Sequence, residues 1–440
     1  MAQVGPIRTV DLRGLSFDSL SINKLVPRAQ LDISQAMVEI LPILEDVQQN
    51  GEQAITRSAL KFDQVDPNPI RVSAEELENA LAKLEPKLRA AIEESILRVQ
   101  KVSVASLPAG NQVDLGEGAE VRLRWQPVDS VGLYVPGGKA VYPSSVIMNV
   151  VPAQIAGVKQ LALATPPQKH FSGRPHPTVL ATAALLGVED VYCMGGPSAI
   201  AAFAYGVPAI NLEPVSVITG PGNIYVAAAK RVLRGTVGID SEAGTTEILI
   251  IADSSANPKF VAADLISQAE HDEAAAAVLV TDSISLADSV RAELEVMLPK
   301  TQNSARATIA LGSQQSALVL VDDIQSAVRF ANFYATEHLE IHTRENEKVL
   351  EKISNAGAIF LGEFSPVSLG DYLAGSNHVL PTGQQAKFGA GLGVHTFLRA
   401  QQVVEYSRSG LEQVADHAVD FSEAEGLPAH GQAITARFEQ

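Results

Sequence analysis

Two short runs limit what this chain can fold into: residues 248–253 read ILIIAD and residues 318–323 read LVLVDD. A strand that is apolar on both faces leaves no side for water, so it belongs inside a sheet covered by helices above and below. Each run ends in an acid and opens into a helical pattern. Asn257 followed by Pro258 suits the N-cap and first turn of the first of these helices. The same texture starts at Val131 and runs through VGLYV, KQLALAT, TVLATAALLG, VEDVYCMGG and SAIAAFAYG, with Gly or Pro at most junctions. Strand and helix patterns in alternation predict parallel α/β layers.

The flanks read differently. Up to about Pro127 the chain is mainly helical: Leu77, Leu81, Leu84, Leu88, Ile92 and Ile96 recur at the spacing of an amphipathic helix and are expected in the core. Past Pro381 it loosens into GQQAKFGAGLG, then resumes a helical pattern through Leu411, Val414, Ala418 and Phe421. A tail this long after the last strand pattern suits an arm docked on its own body or on a second subunit.

A length of 440 residues accommodates two to four domains at roughly 100 to 200 residues each. Lys and Arg number 33 against 50 Asp and Glu, a net charge of −17. That is the wrong sign for coating a polyanion, so neither nucleic acid nor an anionic membrane is an expected partner. Gly, Pro or a charge interrupts every apolar run before the roughly 18 residues of a membrane span. Cys193 is the only cysteine and cannot form an internal disulfide, and the N-terminus MAQVGPIRTVDL lacks the basic-then-apolar profile of a signal peptide. A reducing cytoplasm is the expected location.

Several polar groups could carry chemistry. Gln268 and His271 lie three apart near the end of the helix expected from Pro258 to about Glu273, so they would share a face and could hold one metal ion; QAEHDE also reads as a solvated helix end. Asp371, His378 and His430 sit in Gly-, Pro- and Ser-rich segments, where ligands and catalytic groups concentrate. Two imidazoles, a carboxylate and an amide make an N/O donor set suited to Zn²⁺, Mn²⁺ or Co²⁺. Glu337-His338 is a natural unit for moving protons at neutral pH, or a surface Glu beside a half-buried His. Glu270-His271 and Glu337-His338 each follow an apolar strand and a helix, which is either a weak internal duplication or the general likeness of βα units. Gly220-Pro221-Gly222-Asn223 lies between a strand pattern and a helix pattern, where backbone amides could approach a phosphate. It departs from GxGxxG at Tyr225 and reads equally as a tight turn.

In order along the chain stand VGLYVPGGKAVYPSSVIMNVVPAQIAG, ITGPGNIYVAAAKR, VGIDSEAGTTEI, DLISQAEHD, YATEHLEI, NAGAIFLGEFSPVSLGDYLAGSNHVLPT and EGLPAHGQAI. Together they resemble the histidinol dehydrogenase family, over nearly the whole chain. The resemblance implies oxidation of L-histidinol to L-histidine, the last step of L-histidine biosynthesis, with two NAD⁺, one water and an enzyme-bound aldehyde. It also implies one Zn²⁺ per active site and a homodimer. Carried onto matching positions, it implies that Gln268, His271, Asp371 and His430 bind the metal and that Glu337 and His338 transfer protons. Thr246, His378 and Glu425 match substrate contacts, and the metal ligands and His338 also border the substrate; Tyr134 and Asn223 match NAD⁺ contacts. The family's C-terminal arm crosses to the partner, so Glu425 and His430 would complete the neighbour's site.

Some positions depart from the commoner pattern. Ser198 stands where many relatives carry a glutamine that contacts NAD⁺, so that contact is not assigned. AGTTEI replaces AGPSE but keeps a hydroxyl, and Thr336 replaces a frequent proline.

The expected fold is α/β: two Rossmann-like domains with a helical N-terminal segment and a C-terminal arm that docks on the partner subunit. Residues 1–24 would form an N-terminal arm, 25–130 with 240–381 the main domain, 131–239 an inserted NAD-binding domain, and 382–440 the dimerisation arm. A zinc hydrolase using Glu337 on water, an NAD-dependent dehydrogenase of a related amino alcohol, and an idle paralogue kept for assembly are the alternatives. Cys193 is a conceivable nucleophile for aldehyde oxidation. Its place at the end of an apolar strand suits a packed thiol instead.

Overall fold

The computed structural model describes residues 7–16, 18–28, 33–137, 141–242 and 244–439. Gly138, Lys139 and Ala140 of the VGLYVPGGKA segment, Ala243 of AGTTEI and the first six residues of the expected N-terminal arm lie outside the described residues.

In chain order the strands are β1 (Thr9–Asp11), β2 (Asn111–Gly116), β3 (Ala119–Pro127), β4 (Ser130–Tyr134), β5 (Gln160–Thr165), β6 (Asp190–Cys193), β7 (Val217–Thr219), β8 (Gly238–Ile239), β9 (Glu247–Ala252), β10 (Ala276–Thr281), β11 (Ala317–Leu320), β12 (His338–His342), β13 (Ala358–Leu361) and β14 (Leu398–Tyr406). They form a large parallel sheet, β1-β11-β10-β9-β12-β13, a small parallel sheet, β6-β5-β4-β7-β8, and an antiparallel ribbon, β14-β3-β2.

Both parallel sheets are wound the same way. The chain runs outward from β4 to β6 and returns beside β4 as β7; it runs outward from β9 to β11 and returns beside β9 as β12. Each sheet therefore reverses its strand order once, at β4/β7 and at β9/β12, the position where such folds open a crevice. The repeat lies between two whole sheets. The two segments that looked alike in sequence, β9 and β11 with their helices, both sit inside the large one.

Burial explains the apolar runs. Every residue of β9 and β10 is buried, with Ile248, Ile250 and Leu279 under helix Pro258–Ala269 on one face and Leu249, Ile251 and Val278 under helix Ile324–Tyr334 on the other. β12 is the exception in composition but not in burial. His338, Glu340 and His342 alternate with Leu339 and Ile341, a pattern that ordinarily turns one face to water, and all five are buried.

The packing differs from the expected grouping in three places. Thr9–Asp11, expected in an N-terminal arm, is an edge strand paired with β11; three residues with one buried apolar position are too short a pattern to read. The helical segment expected with the large sheet covers the small one. Helix Ile33–Ser58 buries Ile40, Leu44, Val47 and Ile55 against one face, while Leu77, Ile92 and Val99 join the core of the other. The run through Ile96 is two helices, Ala74–Ala82 and Pro86–Ala105, because Pro86 starts a new helix that Glu85 caps at the Leu88 amide. Leu88 is exposed. Within 382–440, Leu392, Val394 and Phe397 pack into the small-sheet core, and β14 pairs with β3 over nine residues. Helices Arg408–Ala424 and Pro428–Thr435 then pack on each other and bury only Gly410, Ser422 and Gly431. Among the described residues no helix is long and apolar enough to cross a membrane.

Candidate active site

Glu337 and His338 stand at the amino end of β12, beside Thr246 and Glu247 at the amino end of β9. Helix Pro258–Ala269 runs back from β9, so its last turn brings Gln268 to the same edge, and helix Val367–Tyr372 brings Asp371 there after β13. The helix stops at Ala269 with Glu270 as its C-cap, so His271 lies beyond it and not on its face as expected.

A chain of hydrogen bonds orders the buried groups. The Thr246 hydroxyl donates to Glu337 Oε2 at 2.6 Å, and the Glu247 amide donates to the same oxygen at 2.9 Å. Gln268 Nε2 donates to Thr246 Oγ1 at 2.6 Å. With its NH₂ group committed there, Gln268 presents Oε1, which is buried and has no hydrogen-bond partner among the described residues. His338 Nδ1 lies 3.2 Å from the Glu247 carbonyl and 3.5 Å from Glu337 Oε2. Donation from Nδ1 leaves Nε2 as the basic nitrogen. Burial pushes the Glu337 carboxyl up to about 8 and holds the His338 imidazole below its ordinary value. The imidazole is therefore neutral at pH 7.

His271, Asp371 and His378 form a second group. Asp371 Oδ2 is 3.8 Å from His271 Nε2, and Asp371 Oδ1 is 3.9 Å from His378 Nδ1. His378 Nδ1 also meets the Asp371 carbonyl at 3.2 Å, and its Nε2 meets Ser145 Oγ at 3.2 Å. Burial lowers the His378 pKa. The groups face one another: Asp371 raises the His338 pKa through space, and His271 lowers that of Glu337. An unpartnered amide oxygen, an imidazole and a carboxylate at one edge are a donor set that fits Zn²⁺.

Ser145 begins the helix that follows β4, so its contact with His378 joins the amino edge of the large sheet to the carboxyl edge of the small one. At that carboxyl edge, Tyr134 ends β4 and residues 220–223 follow β7, on either side of the strand-order reversal. Tyr134 is buried, and its hydroxyl accepts the Gly196 amide at 3.1 Å. Asn223 caps helix Ile224–Leu233, accepting from the Tyr225 and Val226 amides. Gly220 has φ +114°, and a Cβ there would lie 2.0 Å from the Tyr134 carbonyl oxygen. Buried Lys230 holds this loop, donating to the Gly220 carbonyl at 2.6 Å and pairing with Asp240, whose other oxygen accepts the Gly220 amide. The crevice at the reversal, with a glycine loop leading into a helix, fits a dinucleotide. Ser198 is buried and its hydroxyl turns back to the Gly195 carbonyl at 2.8 Å.

Glu425 and His430 are exposed on the projecting helical pair, and no hydrogen bond or ion pair joins them to the groups above among the described residues. Sequence reading missed two residues. Glu247 is buried beneath the proton-transfer pair, accepts the Gly383 amide at 2.9 Å and is gripped by Arg28, whose guanidinium also stacks 3.9 Å from the Tyr334 ring centroid. Glu247 was visible as the acid inside TTEI, an otherwise apolar strand start. Arg28 carries no local signal.

The histidinol dehydrogenase family model matches residues 26–438. Histidinol dehydrogenase of Leifsonia xyli subsp. xyli is 55% identical over 434 residues, covering 99% of this chain and 100% of that relative, and that of Thermobifida fusca is 56% identical over 431 residues, covering 98% and 97%. The crystal structure of histidinol dehydrogenase from Elizabethkingia anophelis superposes with a TM-score of 0.92 at 33% identity, covering 99% of each chain. With sequence, fold and edge-to-edge site geometry in agreement along its length, the chain belongs to the histidinol dehydrogenase family of NAD-dependent oxidoreductases.

Proposed function

We propose that this protein oxidises L-histidinol through L-histidinaldehyde to L-histidine, in the cytoplasm, using two NAD⁺ and one water. The reading rests above all on the Gln268–Thr246–Glu337 chain with His338 beside it, at an edge facing a nucleotide-type crevice.

In the first step neutral His338 takes the alcohol proton at Nε2 as hydride leaves the carbon for NAD⁺. In the second, the ionised form of Glu337, the minor form at pH 7 and the one that the Thr246 hydroxyl and Glu247 amide bond, removes a proton from the water that adds to the aldehyde, and His338 takes the proton of the resulting diol as the second hydride leaves. Each turnover thus moves two hydrides to two NAD⁺ and releases three protons with the carboxylate. Thr246 and the Glu247 amide aim Glu337, and the Glu247 carbonyl holds the His338 tautomer. Gln268, His271 and Asp371 would hold the zinc ion with His430 of the partner subunit, and when bound it would supply a Lewis acid that orients the substrate beside the base. His378 lies within reach of the same space, and Glu425 of the partner would close it. Tyr134 and the loop ending at Asn223 would border NAD⁺.

The homodimer is supported by the helical pair at the C-terminus, which buries almost nothing within its own chain and exposes Phe421 and Leu427. Purified protein with L-histidinol, NAD⁺ and Zn²⁺ should form two NADH per histidine and stop on chelation. Absence of NADH with the metal site filled would sink the reading, and turnover of amide or ester substrates without NAD⁺ would favour a hydrolase. Co-expressing His430→Ala with Glu337→Gln should restore activity lost in each alone, because a mixed dimer carries one intact site. No recovery would remove His430 from the neighbour's site.

A further inference from the structure

The polar face of β12 does not end at the proton-transfer pair. Glu340 and His342 follow His338 on the same face, and helix Pro258–Ala269 covers them with Asp264, one turn before Gln268. Each of the three offers a ligand atom, and these atoms lie within 4.8 Å of one another. All three residues are buried: Asp264 is 7% exposed, Glu340 0% and His342 4%. The surroundings are apolar, with Val261, Leu265, Phe360 and Val367 in the same core.

The hydrogen bonding of this pocket is incomplete. Glu340 Oε1 accepts the Val367 amide at 2.7 Å. With Asp264 ionised, Glu340 Oε2 and both ring nitrogens of His342 are buried with no hydrogen-bond partner among the described residues. Buried polar atoms are nearly always satisfied, and several orphans aimed at one another indicate a missing group. Among the described residues no Lys or Arg pairs with either carboxylate. Burial, the Glu340 charge and a hydrogen bond with Glu340 push the Asp264 carboxyl up to about 8, so the two acids share either a proton or a cation and do not stand as bare anions.

A cation answers all of these deficits together. His342 Nε2 and Glu340 Oε2 are 3.5 Å apart, close to the ligand-to-ligand edge of about 3.4 Å in a tetrahedral sphere with bonds of about 2.0–2.1 Å. Two carboxylates neutralise a divalent charge, and the imidazole supplies a nitrogen. A water in a fourth position would complete the sphere.

We propose that Asp264, Glu340 and His342 bind a second divalent cation of the zinc or manganese class, separate from the one at Gln268, His271 and Asp371. Its place makes it structural. Asp264 lies on the helix that carries Gln268, Glu340 lies on the strand that begins at His338, and the Val367 amide bound to Glu340 starts the helix that carries Asp371. One ion there pins together the three elements that set the active-site edge.

The test is the metal content of the intact enzyme, loaded with excess Zn²⁺, desalted and measured by elemental analysis per chain. Wild type should retain two ions, Glu340→Gln and His342→Gln one each, and His271→Asn also one. Zn²⁺ should raise the thermal midpoint of His271→Asn but not that of the double variant His271→Asn/His342→Gln. The two single variants at the pocket differ in size and charge, so one that misfolds leaves the other to decide. One ion in wild type, kept by His342→Gln and lost by His271→Asn, would overturn the proposal and leave the catalytic metal standing. One ion lost by His342→Gln but kept by His271→Asn would support the pocket and overturn the catalytic assignment instead.

Discussion

The two parallel sheets share one strand order and are used at opposite ends. The small sheet presents its carboxyl edge, where Tyr134 and residues 220–223 flank the reversal, and the large sheet presents its amino edge, where Thr246, Glu337 and His338 gather. Helices following parallel strands start at the carboxyl edge and end at the amino edge. A carboxyl edge therefore collects helix N-termini, with free amides and positive partial charge suited to a pyrophosphate. An amino edge collects helix C-termini, with carbonyls and negative partial charge suited to a metal ion and a cationic substrate. Setting the two edges face to face, joined by Ser145 and His378, would on the proposed reading place the hydride acceptor and the substrate in opposite fields. One winding rule has thus produced two chemically different half-sites.

The comparison can be broken at either edge. The largest effect belongs to the amino edge: Glu337→Gln should slow aldehyde oxidation about a hundredfold to ten-thousandfold while alcohol oxidation falls much less. Equal losses in the two half-reactions, measured separately, would take Glu337 out of water activation. At the carboxyl edge, Lys230→Met leaves Asp240 buried without its cation and should cost about 3–5 kcal/mol by denaturant unfolding, with a raised KM for NAD⁺ and unchanged metal content. A variant that loses metal instead would show that the edges are not separable. Gly220→Ala forces a Cβ onto the Tyr134 carbonyl at positive φ and should cost about 1–3 kcal/mol, again weakening NAD⁺ and not L-histidinol; an unchanged KM for NAD⁺ would place the dinucleotide elsewhere.

The smallest effect is expected at Cys193. The thiol is fully buried, donates to the Gly173 carbonyl at 3.1 Å and is pushed up to about 12 by burial. It is not a thiolate at neutral pH, and a serine can keep its hydrogen bond. Cys193→Ser should hold turnover within about twofold. A folded variant that makes aldehyde but no acid would restore the covalent route.

Legibility followed the range of the interactions. β9 and β11 were readable because strands covered on both faces must be apolar throughout. The site residues lay in motifs, so Gln268, Glu337, His338 and Asp371 could be named before any geometry. Their bonding could not. The helix ends before His271, the Thr246 hydroxyl joins Gln268 to Glu337, and Glu247 supports both members of the pair. These contacts link residues up to 91 apart, beyond the reach of any local pattern. The helices of 33–105 were visible by periodicity, but periodicity says only that a face is buried, not against which sheet.

The amino-acid sequence by itself determined the parallel α/β class, the separate character of the tail and the inventory of reactive groups. Each follows from local periodicity or from a motif within a few residues. Only the tertiary structure decided that both sheets reverse their order alike, that their opposite edges meet, and that the polar face of β12 is sealed under a helix. Those outcomes depend on which elements pack together, and the energy that selects them comes from non-directional burial shared over the whole core. No segment carries that information alone.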